Sequence, residues 1–121
     1  MKCVLILEDE PFIALDLAFA CEDAGVKSVT AASCEQANDV IENNSIDGAV
    51  LDVNLGQGET CERIARTLKK LGVPFVLNTG DLNRAGEFLR DINAPIIGKP
   101  SAASSVIAKL LELGSGVSAR A

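Results

Sequence analysis

Five short runs of strand character alternate with five stretches of helical character, and this alternation constrains the fold more than any other feature of the chain. The runs are 2–7 (KCVLIL), 28–32 (SVTAA), 48–53 (GAVLDV), 74–79 (PFVLNT) and 95–98 (PIIG). Most are apolar throughout and are bounded by Gly, Pro, Asn or acids, as strands buried on both faces are. Helices are predicted over 12–24, 34–43, 59–71, 82–90 and 102–113. Their boundaries carry recognisable chemistry. Pro11 sits where a first helical turn tolerates it, and Gly25 stops that helix. Ser33 with Gln36 three residues later reads as a capping box, and Asn43 and Asn44 end the second helix. Gly72 stops the third, whose outer face carries Arg63, Arg66, Lys69 and Lys70. Leu82, Ala85, Phe88 and Leu89 give the short fourth helix its spacing. Ser101 is expected to cap the last, and Gly114 to close it. The first helix is apolar almost all round until Glu22, so it has either two buried sides or alanines on its outer one; the second is the simpler reading.

Strand then helix, five times over, means a parallel sheet with helices on both faces and right-handed crossovers. Strand count and the 121-residue length suit one α/β domain, the flavodoxin-like doubly wound (βα)5 sheet of strand order 2-1-3-4-5. The domain is expected to cover 1–113, and the small polar residues 114–121 to form a flexible tail.

In such sheets ligands sit outside the carboxyl ends of the strands, here at the switch point between strands 1 and 3. The chain delivers polar groups to that rim. Strand 1 ends in Glu8 and Asp9, strand 3 in Asp52, strand 4 in Thr79 and strand 5 in Lys99. Strands 1 and 3 are neighbours in this order, so three carboxylates converge, and carboxylates that close repel one another unless a cation joins them. Mg²⁺ takes one or two carboxylates, keeps waters and brings in phosphate oxygens. Lysine and hydroxyl opposite it suit the remaining oxygens of a phosphoryl group. The chemistry implied is phosphoryl transfer to a carboxylate, with Asp52 attacking phosphorus. The metal sits on Asp9 and Asp52, with Glu8 reaching it through water, while Lys99 and Thr79 hold the other oxygens. Each residue alone has a plainer role: Glu8 and Asp9 as helix-start acids, Lys99 as a surface cation, Thr79 as a strand residue. Together they form a pattern.

Composition excludes other chemistry. The net charge of −6 disfavours nucleic acid as a partner, and the absence of histidine removes imidazole bases, most zinc sites and phosphohistidine on this chain. Cys3, Cys21, Cys34 and Cys61 show no C-x-x-C spacing. Free thiols in a reducing cytoplasm are expected, with a redox role for Cys61, near the Asp52 loop, as the weaker reading. The apolar start Val4 to Leu7 is cut by Glu8 and Asp9, so no signal peptide and no membrane span are expected.

With these residues assembled, the chain resembles a response-regulator receiver domain of the CheY-like kind over residues 2–113. The resemblance rests on VLILEDEP, LDVNL, VLNTG and GKP. It implies phosphorylation of Asp52 by the phosphohistidine of a histidine kinase or His phosphotransfer protein. It also implies a Mg²⁺ cofactor held by Glu8, Asp9, Asp52 and the Asn54 carbonyl, with no catalysis beyond self-catalysed phosphorylation and dephosphorylation. In that family the second positions after acceptor and switch hydroxyl, here Asn54 and Asp81, tune hydrolysis, which implies a transient phosphoryl group. No output domain is expected, so the protein acts through an unknown protein target or as a phosphate relay or sink. The first helix and the face formed by the last strand and its flanking helices are candidate interfaces, and a weak homodimer is allowed.

The sequence also departs from the family. Gly56-Gln57-Gly58 replaces the common loop proline, and Ile96 stands where many receivers carry an aromatic switch residue. Thr79-Gly80 is similar to a subgroup with a FATGUY-type motif, with Leu77 and Asn78 for its Phe and Ala and with Asp81 and Leu82 for its last two residues. The main alternative is a phosphate-independent interaction module of the same fold. A Mg²⁺-dependent phosphohydrolase would need a second acid where Asn54 stands. A flavin binder would need a hydroxyl- and glycine-rich loop after strand 1, and aromatics.

Overall fold

The computed structural model describes residues 1–56, 58–80, 91–99 and 101–119, with side chains as far as 114. The strands are β1 (Cys3–Leu7), β2 (Lys27–Ala31), β3 (Gly48–Asp52), β4 (Phe75–Thr79) and β5 (Ile96–Gly98). The helices are α1 (Pro11–Asp23), α2 (Cys34–Asn43), α3 (Glu62–Leu71) and α4 (Ala103–Ala119). The expected sheet is present: all four pairings are parallel, in the order β2-β1-β3-β4-β5. Among the described residues no helix is long and apolar enough to cross a membrane. The helix expected over 82–90, with Asp81, lies outside the described residues, as do Gln57 and Pro100.

Strand alternation divides the core in two. Leu5, Leu7, Ala49, Leu51, Phe75 and Leu77 pack with Ala37 of α2 and with Ile64, Ala65 and Leu68 of α3. Their neighbours Val4, Ile6, Val50 and Val76 face Ala14, Leu17 and Cys21 of α1 and Val106, Ile107 and Leu110 of α4. Strands β3 and β4 are buried at every position, as continuous apolar runs require. Asp52 and Asn78 continue the Val50 and Val76 rows, and the two residues pair in register.

Three local expectations change. The helix predicted from 59 begins at Glu62, because residues 54–56 and 58–60 pair as the two arms of a small hairpin first. Asn54 bridges Thr60, and the Leu55 N–H donates to the Glu59 carbonyl at 2.9 Å. Gly56 and Gly58 take the left-handed conformations that this turn needs, with φ of 82° and 78°. The last helix does not close at Gly114 but runs to Ala119, so residues 114–119 of the expected tail are helical. Gly114 serves packing instead: a methyl there would lie 2.7 Å from Cε of Met1. The last helix begins at Ala103, two residues after Ser101; the Ser101 hydroxyl donates to the Gly98 carbonyl, and the Val106 N–H closes the first turn on Ala102 at 3.2 Å.

The outer side of α1 is not alanine. Phe12, Leu15 and Phe19 stand 80%, 49% and 54% exposed, one helical turn apart, among Asp16, Glu22 and Asp23.

The capping box on α2 forms in a shifted version. Ser33 Oγ accepts from the Gln36 N–H at 3.2 Å, while Gln36 Oε1 accepts from the Ala32 N–H at 2.8 Å, one residue before the cap. Ser33→Ala is expected to cost about 1 kcal/mol, read as a lower urea midpoint at unchanged m-value.

Candidate functional site

The carboxyl ends of β1, β3 and β5 meet at one point on the rim. Glu8 follows β1 and is 3% exposed; Asp52 ends β3 and is 5% exposed; Asp9 beside them is open to solvent. Carboxylate oxygens of Glu8, Asp9 and Asp52 lie within 4.8 Å of one another. The Lys99 ammonium, one residue past β5, stands 2.9 Å from Glu8 Oε1 and 3.3 Å from Asp52 Oδ1. The sheet order makes this demanding. Strand β4 lies between β3 and β5, so the lysine stem crosses the end of β4 to reach its partners. Gly80 lines that crossing, where a methyl would come 4.0 Å from Lys99 Cβ.

The local chain fixes each group. The Glu8 N–H donates to the Ala31 carbonyl of β2, and Glu8 Oε2 accepts from the Glu10 N–H at 3.1 Å, which holds the carboxylate before α1 begins. Lys99 is tied to Thr79 by its own N–H, 2.7 Å from the Thr79 carbonyl. Gly56 backs onto Asp9, whose Oδ2 lies 3.4 Å from where a methyl would be, so a side chain there would crowd the acids.

Two buried carboxylates share one ammonium, and the electrostatics reflect it. Burial, then the Glu8 carboxyl beside it, pushes Asp52 up to about 7 against the opposing pull of Lys99. Burial works against the charge on Lys99, but Glu8 and Asp52 outweigh it and hold the ammonium above its ordinary range. An all-oxygen set of this spacing, with one carboxylate open to water and excess negative charge, fits a hard divalent cation such as Mg²⁺ or Ca²⁺.

The predicted residues divide accordingly. Glu8, Asp9, Asp52 and Lys99 are brought together. Thr79 is buried at the end of β4, one position past the residue paired with Asp52. Asn54 sits in the hairpin after Asp52, bridged to Thr60, and Asp81 lies outside the described residues. The ion pairs of Lys99 with Glu8 and Asp52 were not foreseen, nor was Asn78. That side chain is 4% exposed, and its Oδ1 has no hydrogen-bond partner among the described residues. An unpaired buried carbonyl costs about 1–3 kcal/mol. All four cysteines are free. Burial pushes the Cys61 thiol up to about 12, so it holds its proton and is a poor nucleophile, against the weaker redox reading.

No family model matches the chain, and no curated protein does. Among solved structures, SdrG from Sphingomonas melonis Fr1 is 34% identical, covering 94% of this chain and 96% of its own, at a TM-score of 0.78. A CheY-like response regulator receiver domain protein from Methanospirillum hungatei JF-1 is 22% identical and covers 100% of this chain and 99% of its own, at a TM-score of 0.84. A response regulator from Burkholderia pseudomallei, solved with a phosphorylated aspartic acid, a calcium ion and citrate, is 21% identical. It covers 99% of this chain and 72% of its own, at a TM-score of 0.80.

The raised Asp52 carboxyl makes stability pH-dependent. The folded protein keeps a proton that the unfolded chain releases near 3.8, so without divalent cations stability should fall as pH rises from about 4 to 7. Asp52→Asn should remove this contribution and stabilise the fold at pH 8 by on the order of 2–4 kcal/mol. Urea unfolding of both proteins across that range, in chelator, gives the comparison; equal slopes would contradict the assignment.

Proposed function

The chain belongs by its fold with the CheY-like response-regulator receiver domains, and on that premise we propose that it is a phosphorylatable signalling switch with Asp52 as the acceptor. The observation that carries this reading is the cluster of Glu8, Asp9 and Asp52 with Lys99 bridging two of the three. An interaction module that never took up phosphate would have no need to hold mutually repelling acids in this arrangement.

An ionised Asp52 oxygen forms a new P–O bond as the P–N bond to a phosphohistidine breaks, with the electron pair leaving on the imidazole. Lys99 holds one phosphoryl oxygen and Thr79 another. Glu8, Asp9, Asp52 and the Asn54 carbonyl would hold Mg²⁺, which supplies charge neutralisation at the remaining oxygen and favours the ionised acids. With Asp52 near 7, the ammonium also matters before transfer, because it draws the carboxyl towards the reactive form. The product adds roughly 1.5–2 negative charges in place of one.

The donor is a histidine kinase or His phosphotransfer protein, and α1 is its docking face. Phe12, Leu15 and Phe19 form an exposed apolar stripe beside the acids, of the kind an amphipathic partner helix covers. A downstream protein target, read through the added charge, completes the switch.

Incubation with acetyl phosphate and Mg²⁺ should phosphorylate the protein, and Asp52→Asn or chelation should abolish uptake. Unchanged uptake in Asp52→Asn would refute the acceptor, and no uptake by the unsubstituted protein would favour the interaction module. Phe12→Asp with Phe19→Asp should slow transfer from a cognate kinase by at least about tenfold while leaving uptake from acetyl phosphate unchanged.

A further inference from the structure

Asn78 is the one buried side-chain atom group among the described residues with an oxygen that finds no partner. The residue sits on β4 between Asp52 on one side and Ile97 on the other, in register with both. It follows Val76 on the face shared with Val50 and Asp52, and Ile97 packs against that same cluster. Lys99, two residues beyond Ile97, belongs to the same row. The lysine stem crosses the end of β4 on the side where the Asn78 carboxamide stands. A polar residue here breaks the apolar row that β4 otherwise supplies, and no local hydrogen bond explains it.

The ammonium has three hydrogens, and Glu8 Oε1 and Asp52 Oδ1 take two. Those same carboxylates are the ones that converge with Asp9 on a cation position. A divalent cation among these carboxylates would repel the ammonium and compete with it for their oxygens. That competition would push the ammonium back along its stem, over β4. Asn78, whose Oδ1 has no partner among the described residues, sits on the strand that this path crosses.

We propose that Asn78 is a positioning residue for Lys99, its carboxamide oxygen receiving the ammonium that a divalent cation displaces from Glu8 and Asp52. This rests on the reading of the acids as a cation site. Asn78 then serves two states. Without the cation its oxygen is unpaired, which destabilises the fold; with the cation it keeps Lys99 charged, hydrogen-bonded and close to the phosphoryl position. The unpaired oxygen thereby favours the metal-bound form.

The test is a double-mutant cycle on Mg²⁺ affinity, measured by calorimetry on the full chain and on Asn78→Leu, Lys99→Met and the double variant. Asn78→Leu should weaken Mg²⁺ binding about tenfold when Lys99 is present, the size expected for a hydrogen bond to a charged group, and have no effect in the Lys99→Met background. In chelator, Asn78→Leu should melt at or above the unsubstituted protein, because an unpaired buried acceptor has been removed. Asn78→Ala is the second variant if the leucine does not fold. An equal loss in both backgrounds, or no loss, overturns the proposal while leaving the cation site intact. Failure of the unsubstituted protein to bind Mg²⁺, or binding unaffected by Asp9→Asn, overturns the cation reading and this inference with it.

Discussion

Glu8 and Asp52 are almost wholly removed from water, and among the described residues a single ammonium stands between them. Buried charge of this kind is tolerated only when paired and hydrogen-bonded, and here the pairing is incomplete, with two anions to one cation and a third anion alongside. The remainder shows in Asp52, which retains its proton to unusually high pH. The rim is therefore a place of stored electrostatic tension. A divalent cation would relieve it, and so would a proton on Asp52. This one imbalance connects metal binding, protonation and the reactivity proposed for Asp52.

The sheet makes the imbalance possible. Continuous burial of β3 and β4 anchors the strands from both faces, so Asp52 and Thr79 arrive at the rim on backbone that does not yield. Glu8 is held by β2 through its own N–H, and Lys99 by β4 through its own. Glu8 and Lys99 thus each hang on a ladder hydrogen bond to a neighbouring strand. Flexible placement would let the acids drift apart and relieve their repulsion without a metal. The hairpin after Asp52, with Gly56 against Asp9, leaves the solvent side of the acids uncrowded.

Much of this was legible in the sequence because strand-and-helix alternation leaves few topologies, and the order of strands decides which strand ends are neighbours. That sufficed to bring Glu8, Asp9 and Asp52 together and to send Lys99 towards them. The ion pair of Lys99 with Glu8 joins residues 91 apart, and its direction depends on how a long stem crosses β4, which no local pattern encodes. Asn78 looked like a motif departure, since only a three-dimensional inventory of partners reveals that its oxygen has none. Gly114 read as a helix stop because the contact that explains it comes from Met1, at the opposite end of the chain. Phe12, Leu15 and Phe19 were visible as an apolar helix, but which side met solvent depended on the packing of α1 against β1, β2 and α4.

The central claim is that the clustered acids are incomplete without a divalent cation. Thermal unfolding at pH 8, where Asp52 is ionised, measures this directly when MgCl₂ is titrated against the protein and against Asp9→Asn. A ligand that binds only the folded state raises stability with the logarithm of its concentration above the dissociation constant. The account predicts a melting temperature that climbs steadily with Mg²⁺ in the unsubstituted protein and barely moves in Asp9→Asn. A melting temperature indifferent to Mg²⁺, or equal gains in both proteins, would contradict it.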